Sequence, residues 1–237
     1  MIRTPRAPPA WAAEVVSSNI VGYQKVTLQP GFNFVAPQFT AVGGGAIDLQ
    51  SIKLDISDDD ATGGDNIQIL DDGGATLSQY YWMPPSFTGA EKAGWVDENF
   101  ALVSDTLANG LSILVDSTDD LSVTVSGEVS KNDSEIVSVA GFNFIGNSTP
   151  VSINIQDIQI DVADDEATGG DNIQILDDGG ATIAQYYWMP PSFTGAANAG
   201  WVDENFALVD VDLAPGQGVL LDATADGITI SVPAAIQ

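Results

Sequence analysis

One stretch decides how this chain is built: residues 61–103 read ATGGDNIQILDDGGATLSQYYWMPPSFTGAEKAGWVDENFALV, and residues 167–209 read ATGGDNIQILDDGGATIAQYYWMPPSFTGAANAGWVDENFALV. The two stretches are identical at 39 of 43 positions and lie 106 residues apart. Similarity continues outward, since GFNF at 31–34 recurs at 141–144, and LANG at 107–110 recurs as LAPG at 213–216. A repeat of this kind indicates a tandem duplication.

The duplication predicts two domains that follow a short leader. Residues 1–13 combine two arginines with small residues but lack the apolar stretch of a secretory signal, so they are interpreted as a leader or signal remnant. Residues 14–130 form the first predicted repeat and residues 131–237 the second. The boundary falls in the polar, turn-rich stretch around 126–134.

Short apolar stretches rich in Val, Ile, Thr and aromatic residues, separated by Gly, Asp, Asn and Pro, predict strands. No window sustains the 3.6-residue period of an amphipathic helix. The strands predicted in the first repeat, with partners in the second, are 20–28, 31–35, 47–56, 66–70, 77–82, 112–115 and 121–125. The motif DDGG at 71–74, repeated at 177–180, predicts a hairpin turn. The predicted fold is therefore all-β, with two tandem β-sandwich or jelly-roll-like domains.

Composition excludes several classes of function. The chain carries 33 Asp and Glu against 6 Lys and Arg, a net charge of −27, which disfavours binding to nucleic acid. It has no cysteine and no histidine, so disulfides, zinc–thiolate sites and Ser-His-Asp triads are excluded. The sequence contains no stretch of about 20 apolar residues, so no membrane span is predicted.

An acidic loop that occurs in both repeats is the candidate metal site. Carboxylate and amide oxygens are the ligands that Ca²⁺ prefers. The candidate ligands are Asp58, Asp59, Asp60, Asp65 and Asn66, with Asp164, Asp165, Glu166, Asp171 and Asn172 in the second repeat. The alternative is that these residues only stabilise turns, because the spacing matches no EF-hand loop. No other cofactor is predicted.

Aromatic residues form the second repeated cluster. Its members are Tyr80, Tyr81, Trp82 and Trp95, with Tyr186, Tyr187, Trp188 and Trp201 in the second repeat. Because side chains alternate along a strand, Tyr80 and Trp82 share one face and Tyr81 takes the other. One face should pack into the core, and the other could present a platform for a carbohydrate or a partner chain.

Acidic pairs such as Asp97-Glu98 and Asp203-Glu204 are the residues that a glycosidase would use. Such pairs are expected by chance among so many acids, and near-identical duplication argues against a single evolved active site. The chain is therefore predicted not to be an enzyme.

The repeats resemble β-rich repeats in secreted and surface proteins of Verrucomicrobia and related bacteria. The motifs that carry the resemblance are NIVGY at 19–23, GFNF at 31–34, the aromatic strand with Gly94-Trp95, LANG at 107–110 and SGEV at 126–129. The second repeat departs from this pattern, since it lacks NIVGY and ends in VPAA at 232–235. The resemblance implies export and a surface role, and it implies no catalytic residues.

The predicted function is that of a non-catalytic extracellular structural protein, a self-assembling subunit of a surface fibre, sheath or layer. The predicted partner is another copy of the chain, because contacts between similar domains can propagate into filaments. A strand-donor segment containing Val15, Val16, Ile20, Val21 and Tyr23 could pair with the sheet edge of the next subunit. The alternatives are a secreted carbohydrate-binding or Ca²⁺-dependent adhesion module, and a structural protein of a virion.

Overall fold

The computed structural model describes residues 20–55, 65–70, 76–84, 94–161, 170–177, 179–190 and 199–234. Within these ranges the chain is all-β: twenty strands form small antiparallel sheets, together with two 3-10 helices of three residues each. This confirms the all-β prediction. No helix in the described ranges has both the length and the apolar character that crossing a bilayer requires.

The first half contains ten strands in three sheets. They are β1 (Val21–Thr27), β2 (Gly31–Val35), β3 (Ile47–Asp48), β4 (Ile52–Leu54), β5 (Asn66–Leu70), β6 (Thr76–Met83), β7 (Gly94–Val96), β8 (Thr106–Leu107), β9 (Ile113–Ser117) and β10 (Ser122–Glu128). Their orders are β1-β10-β4, β2-β9-β5-β6-β7 and β3-β8. The hairpin formed by β5 and β6 confirms the predicted pairing on either side of the DDGG motif.

The second half repeats this topology strand for strand. Its strands are β11 (Ser134–Val137), β12 (Gly141–Gly146), β13 (Ile153–Asn154), β14 (Gln159–Asp161), β15 (Asn172–Leu176), β16 (Thr182–Met189), β17 (Gly200–Val202), β18 (Asp212–Leu213), β19 (Gly218–Ala223) and β20 (Thr229–Val232). Their orders are β11-β20-β14, β12-β19-β15-β16-β17 and β13-β18. The duplication seen in the sequence is therefore also a duplication of architecture.

The single strand predicted at 47–56 is wrong, because a 3-10 helix at Leu49–Ser51 separates β3 from β4. The Asp48 side chain accepts a hydrogen bond from Gln50 N at 2.8 Å and so caps this turn. Asn154 caps the turn at Ile155–Asp157 in the same way. Local capping by an Asx side chain thus outweighs the strand preference of the surrounding apolar residues.

The two halves are joined rather than separate. Each has its own hydrophobic cluster, but the half-buried Leu111 packs against both clusters. Main-chain hydrogen bonds also cross between the halves, for example from Ala36 N to Gly216 O at 2.8 Å. The four larger sheets have a four-bladed, propeller-like arrangement. The prediction of two tandem β-sandwich or jelly-roll-like domains is corrected accordingly, since the sheets have this propeller-like arrangement and main-chain contacts join the two halves.

Candidate functional site

A buried tryptophan anchors each half, and a glutamine holds its backbone in place. Trp95 is fully buried, and its Nε1 donates a 2.6 Å hydrogen bond to Ile52 O. Gln50 Oε1 accepts from Trp95 N at 3.0 Å, while Gln50 Nε2 donates to Trp95 O at 2.7 Å. Gln156 makes the same two bonds to the buried Trp201, at 3.0 Å and 2.6 Å. Both indoles are therefore part of the core, where no surface ligand reaches them.

The other aromatic residues of the first half lie on β6. Tyr80 is buried and donates its hydroxyl hydrogen bond to Asp105. Burial raises the pKa of Tyr80, and the bond to Asp105 raises it further. Trp82 packs edge-on against Trp95, with ring centroids 5.2 Å apart and planes at 70°. Tyr81 is half-buried and points away from these two.

The second half places its aromatics in nearly the same way on β16. Trp188 is buried and lies edge-on to Trp201, at 5.2 Å and 65°. Tyr186 and Tyr187 are half-buried, and Tyr186 packs against the second hydrophobic cluster, as does Val211. The ligand-platform prediction stays a prediction, and it now rests mainly on Tyr81 and Tyr187.

The two described aspartates of the predicted calcium loops hold the sheet together. Asp65 is buried, and its Oδ1 accepts from Thr118 N at 2.9 Å and Thr118 Oγ1 at 3.1 Å. Asp171 accepts from Thr224 N at 2.8 Å and Thr224 Oγ1 at 2.9 Å. Each carboxylate thus ties the start of one strand to the end of its neighbour.

The two described asparagines of these loops are also engaged. Asn66 Oδ1 accepts from the side-chain amide of Gln79 at 3.0 Å, and Asn172 Oδ1 accepts from Gln185 at 2.8 Å. The remaining predicted ligands, Asp58, Asp59, Asp60, Asp164, Asp165 and Glu166, lie outside the described residues. Among the residues that the structure does describe, no group of three or more acidic side chains could hold a metal ion. The calcium site stays a prediction.

A tight turn after β7 presents an exposed phenylalanine. Asp97 Oδ1 accepts from Asn99 N and Ala101 N, both at 2.9 Å. These backbone bonds, Ala101 first, lower the pKa of Asp97. Phe100 follows with a left-handed backbone, φ 60°, and an exposed ring. The turn at 203–207 repeats every one of these features.

The predicted strand-donor segment lies at a sheet edge. β1 pairs with β10 of its own chain along its full length, and it is the terminal strand of its sheet. Val21 and Tyr23 are 63% and 78% exposed, and Ile20 just before them is also exposed. Val15 and Val16 lie outside the described residues. Donation of this segment to a neighbouring molecule stays a prediction.

An apolar groove runs beside the start of β1. Its volume is about 710 Å³, and we call it the β1 groove. The residues that line it include Val21, Tyr23, Val42, Ile47 and Gly127. Val42 is 74% exposed. Its exposed lining is more apolar than polar, although Asp48 and Ser51 also line it.

Sequence reasoning missed Gln50 and Gln156, which hold the tryptophans, and Val42 in the β1 groove. A signal for the glutamines is present: DLQSI at 48–52 and NIQDI at 154–158 keep an Asx residue two positions before Gln. Val42 gives no such signal, because it lies in a loop whose length differs between the repeats.

No protein-family model matches the chain, and the comparisons with curated proteins and with solved structures found no match. The resemblance to secreted bacterial repeats and the predicted functions therefore stay predictions.

Proposed function

We propose that the chain is a non-catalytic structural protein of an extracellular fibre, sheath or surface layer, whose copies associate through β1 and the β1 groove. The observation that carries this proposal is the exposed, uncharged start of an edge strand. Val21 and Tyr23 project from it, and they border an apolar groove.

An edge strand offers backbone N–H and C=O groups that can pair with another chain, so proteins usually protect such edges with charge. Lys25 protects the far end of β1, where its Nζ lies 2.5 Å from Asp55 Oδ2. The residues 21–23 carry no charge. The unprotected part of β1 is thus the part that adjoins the β1 groove.

The second half lacks this feature. Residues 130–133, at the position of 20–23, read SKND and form a polar connection instead of a strand. Of these two equivalent edge strands, β1 and β11, only β1 therefore has an uncharged start. Two β1 strands that pair antiparallel close a symmetric dimer, and growth into a fibre or layer then requires a second surface.

Net charge modulates this association. Two copies that each carry −27 repel one another, and dissolved salt screens that repulsion over about 10 Å at 0.1 M. Association should consequently strengthen as ionic strength rises, which fits the salty surroundings of an exported protein.

Light scattering coupled to size-exclusion chromatography, with negative-stain microscopy, tests the proposal on the full chain. Wild type should associate in 0.5 M salt, whereas Val21→Lys with Tyr23→Lys should be monomeric, because two new charges would have to be buried in the contact. Point changes are preferable to deleting β1, since deletion also removes the partner of β10.

Val137→Lys is the matched control. Val137 is an exposed apolar residue on β11, the edge strand of the second half. The Val137→Lys variant should associate like wild type. Wild type, this variant and the variant with lysine at 21 and 23 should share one melting temperature. A wild-type chain that stays monomeric with salt and calcium present, or a lysine pair that associates normally, contradicts the proposal.

A further inference from the structure

The contacts between the two halves occur in equivalent pairs. An antiparallel β-bridge joins the main chains of Val35 and Gln217, and another joins those of Leu111 and Ile145. In the repeat alignment Val35 corresponds to Ile145, and Leu111 corresponds to Gln217. Each half therefore uses the same two positions to contact the other.

The hydrogen bonds across the interface follow the same rule. Ala36 N donates to Gly216 O at 2.8 Å, and Gly146 N donates to Gly110 O at 3.0 Å. Ala36 corresponds to Gly146, and Gly110 corresponds to Gly216. This reciprocity defines an isologous contact, in which one surface patch is used twice about a two-fold axis.

Residues on such an axis contact their own equivalents. The rings of Phe34 and Phe144, which correspond, lie parallel with centroids 5.4 Å apart and 4° between their planes. Two clefts of about 320 and 430 Å³ flank the contact, and their lining residues largely correspond as well. The halves are thus arranged like the two subunits of a symmetric dimer.

At two positions next to this two-fold axis the side chains of the two halves differ in size. Both times the second half has a glycine where the first half has a larger residue. A Cβ on Gly146 would lie 2.8 Å from Ala36 Cβ, its equivalent in the first half, and 2.5 Å from Gln217 O of its own half. A Cβ on Gly218 would lie 2.9 Å from Ser112 Cβ, again its equivalent, and equally close to Phe34 C and Cβ of the first half. Real Cβ atoms essentially never approach this closely, so Ala36 and Ser112, together with these backbone neighbours, leave room only for glycine opposite them.

We propose that this surface is a heterotypic docking surface that pairs a first half with a second half and rejects a first half paired with another first half. In a pair of first halves, Ala36 would face Ala36 and Ser112 would face Ser112. The occupant is the second half of the same chain, whose main-chain contacts with the first half are described above. This surface does not include the start of β1 or the β1 groove, so the proposal does not depend on assembly through that edge.

Exchanging the residues at positions 112 and 218 tests the steric fit between the two halves. Gly218→Ser should lower the melting temperature of the full chain by roughly 5 °C, because the interface becomes overpacked. Ser112→Gly in that background should restore part of the loss, while Ser112→Gly alone should lower the melting temperature. Gly179→Ser is the control, because its Cβ would meet only an Asp177 oxygen at 3.4 Å. Strictly additive effects of Gly218→Ser and Ser112→Gly overturn the proposal.

Cleavage of the connection between the halves tests partner choice. A protease site inserted between Ser130 and Lys131 allows the folded chain to be cut, after which the two fragments should elute together at the mass of the intact chain. Native mass spectrometry on a mixture of isotopically labelled and unlabelled cleaved protein should show exchange into new first–second pairs and no first–first pairs. Separation of the fragments, or a substantial population of first–first pairs, overturns the proposal.

Discussion

The two halves share the hydrogen bonds between glutamine and a buried tryptophan and the same strand order. They close one end of the fold in different ways. In the first half the loop 36–46 places Phe39 in the core, with its ring 3.3 Å from where a Cβ on Gly22 would stand. Thr40 exchanges two 2.9 Å main-chain hydrogen bonds with Glu128 and so extends the pairing around β10. The Phe39 side chain, which we call the apolar plug, therefore packs against β1.

The second half has a loop four residues shorter, at 146–152, and closes it with a polar side chain. Asn147 is fully buried, and its Nδ2 donates to Val151 O at 2.7 Å and Leu213 O at 3.1 Å. Its Oδ1 accepts from Thr149 N at 3.0 Å. These hydrogen bonds of Asn147, which we call the bracket, organise a short loop but do not support a long edge strand. The edge strand β11 has four residues, where β1 has seven.

The comparison shows which parts of the repeat are constrained from within. The nearly identical block includes Trp95 and Trp201 and the turns at 97–101 and 203–207, which make matching contacts inside each half. The parts that differ are the closing loops and the edge strands. The divergence is therefore concentrated where the proposed assembly surface lies.

Removal of the plug should have the largest effect on this comparison. Phe39→Ala should reduce the free energy of unfolding by about 3–5 kcal/mol, because it empties a large buried volume. Amide hydrogen exchange in β1 should accelerate as well, since the ring packs beneath Gly22. Chemical denaturation and exchange mass spectrometry measure the two effects. Val151→Ala, in the loop of the second half, is the control and should be nearly neutral. Unchanged exchange in β1 would show that the plug does not support that strand.

Removal of the bracket should cost less and should leave β1 unaffected. Asn147→Ala leaves the carbonyls of Val151 and Leu213 without this donor, and we expect a loss of about 2–3 kcal/mol. Exchange should accelerate in the second half alone. The exposed Asn205→Ala serves as the control for loss of an asparagine. Equal acceleration in both halves would mean that the loops are not independent closures.

The sequence predicted the strands that alternate regularly far better than the contacts between distant elements. The strands 31–35 and 66–70 agree with β2 and β5 to the residue. The strand β7 was missed, because three residues around Trp95 give too short a pattern. The joined halves could not be predicted either, since the contact between Phe34 and Phe144 depends on packing across more than a hundred residues. Gln50 holds the main chain of the buried Trp95, and the sequence signal for this role is only the Asx residue two positions before the glutamine.

The smallest effect concerns the turns that the two halves share, and it should be equal in both. Hydrogen bonds from Ala101 N and Asn99 N lower the pKa of Asp97 below its ordinary value of 3.8, and those from Ala207 N and Asn205 N do the same for Asp203. A carboxylate whose pKa is lower in the folded state stabilises the fold above the ordinary pKa, and this stability disappears as pH falls through the folded value. Asp97→Asn should lower the melting temperature slightly at pH 7, and this difference should disappear as pH falls through the folded pKa, because wild type then becomes protonated at the same position. Asp203→Asn should give the same profile, and the double variant should give the sum, since the turns lie in separate halves. Thermal denaturation of the three variants and wild type from pH 7 to pH 2 measures these profiles. A difference from wild type that persists unchanged at pH 2 would mean that shape, and not charge, makes aspartate necessary in these turns.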